Sequence, residues 1–192
     1  MSRPHPGFIF WLQWTLATLI GRLIGRFTAD LLTWVAGHGH AVMPLRMLVL
    51  GGTIALCQWW VLRPYLPRAH RWFLATTLGG GVTGMATVLT GLTQWLVLRR
   101  WVPRASLWIG ITTIAGISSW LLVRAIVGPV GSVVPQPDAI AFLARMAGDL
   151  LAGVLTASGM LSLLRQPRLS PGTEDRALPY RKLDFTTIWQ PR

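Results

Sequence analysis

Few side chains in this sequence could carry chemistry, and most of them are arginines and aspartates inside apolar runs. Arg22, Arg26 and Asp30 follow an i, i+4, i+8 spacing, which puts them on one face of a helix. Arg145 and Asp149 form a second i, i+4 pair. Ionisable groups at membrane depth are costly, and where they persist they mark ion or proton paths. The plainer reading has each aspartate neutralising the arginine on its own helix near an interface. The segment ends favour that reading, because both pairs fall toward the ends of apolar runs. His38 and His40 form an H-x-H in a glycine-rich segment, and His70 stands in a hinge. A metal site needs three or four ligands, and no Cys, Asp or Glu cluster adjoins these histidines, so no metal site is expected. They are weak candidates for axial ligation of chlorophyll or haem. Cys57, the single cysteine, excludes an intramolecular disulfide and a Cys-based zinc site, and reads as a small buried hydrophobe. Gly79-Gly80-Gly81 is not a phosphate loop, because no Lys-Ser/Thr follows it. With no Ser-His-Asp set and no paired carboxylates, no enzyme is expected.

The elements that must hold these residues are hydrophobic helices. Of the 192 residues, 52% are hydrophobic and only 12% charged, about half the charged share of an ordinary soluble domain. Such a chain lacks the polar surface to cover itself in water, whereas lipid solvates apolar side chains directly. The net charge is +12, and Lys182 is the only lysine. The arginines gather at the ends of apolar runs rather than on a basic face, so they suit lipid phosphates and orientation signals, and no nucleic-acid partner is expected. The first apolar run, from Phe8, is followed by Gly21-Arg22 and not by a small-x-small cleavage site, so it reads as a retained helix rather than a signal peptide.

The expected fold class is all-α: a polytopic transmembrane protein with about five spans at 8–27, 43–62, 72–98, 105–124 and 142–164. A bilayer core of about 30 Å needs about 20 helical residues. Segment 72–98 meets that length with no charge at all. Breaks fall where helices should end: the Gly37–His40 segment with Pro44, then Pro64 and Pro67, Pro103, and Gly128-Pro129 through Pro137. Residues 1–164 form the membrane domain, and 165–192 read as an extended, proline-containing cytoplasmic tail. That tail keeps Tyr180, Phe185 and Trp189, more apolar surface than a spacer requires, which suits docking to a partner.

The most specific feature is an internal repeat at a 36-residue offset. Gln58-Trp-Trp-Val-Leu-Arg63 matches Gln94-Trp-Leu-Val-Leu-Arg99; Pro67-Arg68-Ala69 matches Pro103-Arg104-Ala105; Trp72 matches Trp108; and Thr76-Thr77 matches Thr112-Thr113. Leu16–Gly21 weakly echoes Leu74–Gly79, and Leu164-Arg165 with Pro167-Arg168 echoes the hinge. The unit reads as an interface hinge. Trp59, Trp72, Trp95 and Trp108 anchor helix ends at the headgroups, Arg63, Arg68, Arg99 and Arg104 meet phosphates, and proline turns the chain. The two hinges together could form a paired headgroup site. Gly21-x3-Gly25 and Gly80-x3-Gly84 are small-residue pairs that let helices approach closely.

With these segments in place, residues 56–116 resemble a group of bacterial multi-pass membrane proteins that carry repeated Q-W-L-V-L-R-R…A-x-W-W segments and are frequent in phototrophs. The resemblance implies a bacterial inner or thylakoid membrane, with chlorophyll or carotenoid the pigments such a setting would supply, and it implies no activity. The leading expectation is a non-catalytic accessory or scaffold subunit packed against a larger membrane complex, photosynthetic or otherwise energy-transducing, with lipids and other subunits as partners. A small transporter or channel built on inverted repeats is the alternative, and a lipid- or pigment-binding protein a weaker one. Placing the tail in the cytoplasm and counting back through five spans puts the 99–104 hinge inside and the 63–71 hinge outside, against the positive-inside rule. A third segment that re-enters at Gly79–Gly81 would put both hinges inside, but 72–98 is too short for two full crossings, so five spans remain the expectation.

Overall fold

The computed structural model describes residues 6–37, 39, 42–81, 87–130 and 138–166 and is helical throughout, with no strand among them. Four helices are long and apolar enough to cross a membrane: α1 (Phe8–Ala36), α2 (Val42–Leu62), α5 (Leu107–Val130) and α6 (Asp138–Leu164). α1 has 29 residues, which at the helical rise makes about 43 Å. It stops at Gly37, whose φ of 79° only glycine adopts cheaply, and whose N–H bonds the Thr33 carbonyl at 2.9 Å. α6 begins at Asp138, whose carboxylate suits a helix start.

Where the sequence suggested a third span, two 12-residue helices stand instead: α3 (His70–Gly81) and α4 (Thr87–Leu98). Each is about 18 Å long, half of a crossing. They run antiparallel. The Thr93 hydroxyl donates to the Ala75 carbonyl at 2.8 Å, and the Gln94 amide to the Thr76 hydroxyl at 2.8 Å. Contact is close because Gly79 has no side chain: a Cβ there would lie 2.9 Å from Thr90 Cα. An uncharged stretch of 27 residues (72–98) looks like one span by length. Its helix breaks near the triple glycine, and the returning half finds a partner in the half before it.

Each helix packs on its neighbours in sequence, and α6 closes on α1, so the six form a ring. Among the described residues α2 and α5 do not touch; the α3–α4 hairpin stands between them. At one end of the ring Phe10 meets Tyr65 (ring centroids 4.9 Å apart), Trp14 meets Trp72 and Trp108, and Arg165 Nε reaches the Pro6 carbonyl at 3.5 Å. The start of α1, both hinges and the end of α6 therefore share one end, the hinge end. Large apolar side chains such as Phe27, Trp34, Ile114 and Trp120 are exposed around the outside, as contact with lipid allows.

Among the described glycines, Gly21 comes nearest to the backbone of a neighbouring helix. A Cβ there would stand 2.8 Å from Ile54 Cα and 3.2 Å from the Thr53 carbonyl oxygen, both backbone atoms that no rotamer change can move. Gly25, four residues on, meets Thr53 and Leu50 of the same helix. The Gly21-x3-Gly25 pair thus packs within the protein. Gly21→Ala should push α1 off α2 and cost about 1–3 kcal/mol, seen as a lower midpoint of thermal unfolding in detergent; Gly110→Ala, with open space at its Cβ, should leave that midpoint unchanged or raise it, because alanine favours the helix.

Candidate functional site

Three indoles close the hinge end of the ring. Trp14, Trp72 and Trp108 lie edge to face, with centroids 5.7, 5.7 and 6.2 Å apart. All three are fully buried or within 1% of it. This corrects the expectation that Trp72 and Trp108 anchor helix ends at the headgroups. They sit in the centre because each N–H finds a partner inside, which a buried indole requires. Trp72 Nε1 donates to Gln58 Oε1 (3.2 Å), whose amide donates to the Thr18 hydroxyl (3.1 Å). Trp108 Nε1 donates to Gln94 Oε1 (2.7 Å), whose amide donates to the Thr76 hydroxyl (2.8 Å). Trp14 Nε1 donates to Thr156 Oγ1 (3.2 Å). In each case a Trp precedes a Thr by four residues: 14 and 18, 72 and 76, 108 and 112. That spacing stacks the pair on one helix face.

Inside the ring, beyond this lid, lies a cavity of about 320 Å³ to which all six helices contribute. Its polar lining includes Thr18, Gln58, Thr76, Thr90, Gln94 and Thr112, with Arg22 and Arg26 toward the far end. Arg22 is the fifteenth of the 29 residues of α1, and Asp149 the twelfth of the 27 of α6, so the charges lie near mid-length. Arg22 Nη1 donates to Asp149 Oδ1 at 2.7 Å, and Arg26 Nη2 to the same oxygen at 3.0 Å. The Asp149 side chain is 2% exposed; those of the two arginines keep 29% and 30% of their surface.

The charge pairs therefore differ from the expected ones. Asp149 pairs with Arg22 and Arg26 of the neighbouring α1, and Arg145 on its own helix is exposed. Asp30 pairs with Arg46 of α2 at 2.8 Å rather than with Arg26, and its side chain is 69% exposed. The expected span had Asp149 near its end. α6 starts earlier, at Asp138, which moves Asp149 inward. Helical spacing identified the face of each charge but not which neighbouring helix faces it.

At the hinges, Arg63 lies exposed over the Trp60 ring (3.8 Å to the centroid), and Arg99 over Trp95 (5.3 Å). Trp59 and Trp95 are half-buried against the core. Arg68 and Arg104, both exposed, have φ of 57° and 56°, a left-handed conformation that costs a non-glycine residue about 1–2 kcal/mol. In both hinges the same geometry delivers a buried alanine, Ala69 or Ala105, into the core. His70 is exposed at the start of α3, and no group of three or more His, Cys, Asp or Glu able to hold a metal occurs among the described residues. His38, His40, Tyr180, Phe185 and Trp189 lie outside the described residues. Sequence reasoning passed over Trp14, Thr18 and Arg46 and met Gln58 and Gln94 only as matching positions of the repeat; the recurring Trp-x3-Thr spacing was the signal that could have found the first two.

No family model, curated protein or solved structure matches the chain.

Removing one amide tests how far the lid depends on these bonds. Gln94→Leu leaves the Trp108 N–H and the Thr76 hydroxyl without that partner and should cost about 1 kcal/mol. Gln58→Leu should act alike on Trp72. Thermal unfolding of the purified variants reads both, and unshifted midpoints would mean that the amides contribute nothing.

Proposed function

We propose that this is a non-catalytic membrane protein that binds a small polar solute in its central cavity and carries it across the bilayer. The observation that supports this reading most is the cavity itself: apolar for the most part with hydroxyl, amide and guanidinium groups set into its wall, within the ring, near the mid-length of the helices, and flanked by a pair of half-length helices. Solute sites of membrane carriers lie at such depths and beside such interrupted helices. The cavity offers threonine hydroxyls, glutamine amides and guanidinium groups, all suited to binding, and no arrangement suited to covalent catalysis among the described residues.

The matching bonds of Gln58 and Gln94, the matching φ of Arg68 and Arg104, and the meeting of three tryptophans support a second part of the proposal. The chain is three related helical hairpins, α1–α2, α3–α4 and α5–α6, arranged around the cavity, with the middle hairpin shortened. Four spans and one re-entrant hairpin put both hinges on the side of the tail. Arg63, Arg68, Arg71, Arg99, Arg100, Arg104 and Arg165 then share that side. The stretches of sequence between α1 and α2, α3 and α4, and α5 and α6 (37–41, 82–86 and 131–137) contain no Lys or Arg. By the positive-inside rule the hinge end faces the cytoplasm.

An accessory-subunit role is the second reading. The chain leaves α6 beside both hinges, so a tail that docks on a partner would bring that partner to the arginine-rich end. Deletion after Gln166 should then abolish co-purification of the partner complex, and unchanged co-purification would remove this reading.

For the carrier reading, the experiment is uptake into proteoliposomes of a solute panel spanning sugars, amino acids and organic anions. One class should enter faster than into empty liposomes. Thr90→Phe, which fills the cavity, should reduce that uptake about tenfold or more, on the scale of a blocked pocket. Absence of both uptake and binding across the panel would sink the carrier reading.

A further inference from the structure

The charges around the cavity do not balance. Arg22 and Arg26 converge on a single carboxylate, Asp149, which leaves one positive charge over at mid-length. The other charged groups on the elements around it are engaged or turned away. Asp30 of α1 holds Arg46 of α2. Arg124 of α5 is exposed over the Trp120 ring. Arg145 and Asp138 of α6 are exposed, and α3 brings only His70 and Arg71, at the hinge end. The guanidinium groups are not saturated either, since Arg22 Nε is buried without a hydrogen-bond partner. An uncompensated cation at this depth is costly unless water or an anion answers it.

We infer that the cavity binds a small oxyanion on the guanidinium forks of Arg22 and Arg26, with Asp149 as the resident carboxylate that the ligand shares or displaces. This deepens the carrier reading and rests on it. Planar guanidinium forks match carboxylate and phosphate oxygens, and Asp149 already demonstrates the carboxylate fit. The cavity of about 320 Å³ has the volume of roughly ten waters. Small carboxylates and inorganic phosphate fit within it. The cavity threonines would face its neutral part.

The test uses the full chain purified in mild detergent without other small anions, and isothermal calorimetry with acetate, inorganic phosphate and acetamide. At least one oxyanion should bind saturably, and acetamide should not. Acetate alone identifies a carboxylate site, phosphate alone a phosphate site, and either upholds the inference. R26Q leaves one cation against Asp149 and should weaken binding roughly tenfold to a hundredfold, the loss of a charged hydrogen-bonding partner. The double variant R26Q/D149N has the same charge balance as the native protein and should recover most of that loss. A purely structural role for Arg26 would predict no recovery. D149N alone should bind more tightly than the native chain; should it fail to fold, the double variant still decides. Native-like binding by R26Q, or no recovery in a folded double variant, overturns the inference. Acetamide binding as well as acetate overturns the anion assignment and leaves the carrier reading standing. No binding and no uptake of any solute class overturns both.

Discussion

The architecture depends on the contact among three tryptophans that come from different parts of the chain. Trp14, Trp72 and Trp108 can meet only if α1, α3 and α5 all bring the same end to the same place. That requirement forces α3 and α4 into a hairpin, because otherwise Trp72 and Trp108 would stand at opposite ends of a span. It also sets the depth of everything else. One turn beyond each indole stands a threonine, and beyond the threonines on α1 come the two arginines. The lid, the polar lining and the charge cluster are successive layers measured from one aromatic contact.

Indole N–H groups buried in such a lid need acceptors. Gln58 and Gln94 answer that need, and each passes the bond to a threonine on the preceding helix. Each amide therefore ties three helices, α1–α2–α3 in one case and α3–α4–α5 in the other. Between α6 and α1 the corresponding bond is direct, from Trp14 to Thr156, while Met160 packs fully buried in the same core. The ring is held by hydrogen bonds at each of these joints and by glycine contacts between them.

Much of the fold was legible in the sequence. Apolar runs and proline breaks located α1, α2, α5 and α6 with their hinges, and the 36-residue offset pointed to residues that do make equivalent bonds. Depth was less legible. A tryptophan beside an arginine reads as an interface anchor, and only the tertiary partner distinguishes Trp72, which lies inside, from Trp60, which lies out. The third segment misled for a related reason: length and lack of charge describe one crossing and two half-crossings equally. The positive-inside conflict at the 63–71 hinge was the clue, and it carried more information than the length. The pairing of Asp149 lay beyond helical periodicity, which orders residues along one helix and says nothing of the neighbour's rotation.

The half-length of α3 and α4 has a consequence for the surrounding membrane. Six helices cross the hinge-side half of the ring, but only four continue through the other half among the described residues. Helices are about 10–12 Å across, so in a bilayer the molecule would take up roughly two helix cross-sections more in one leaflet than in the other. Its outline is a wedge. Many copies side by side would splay the lipids of the broader leaflet, and a membrane crowded with them would relax by bending away from that side.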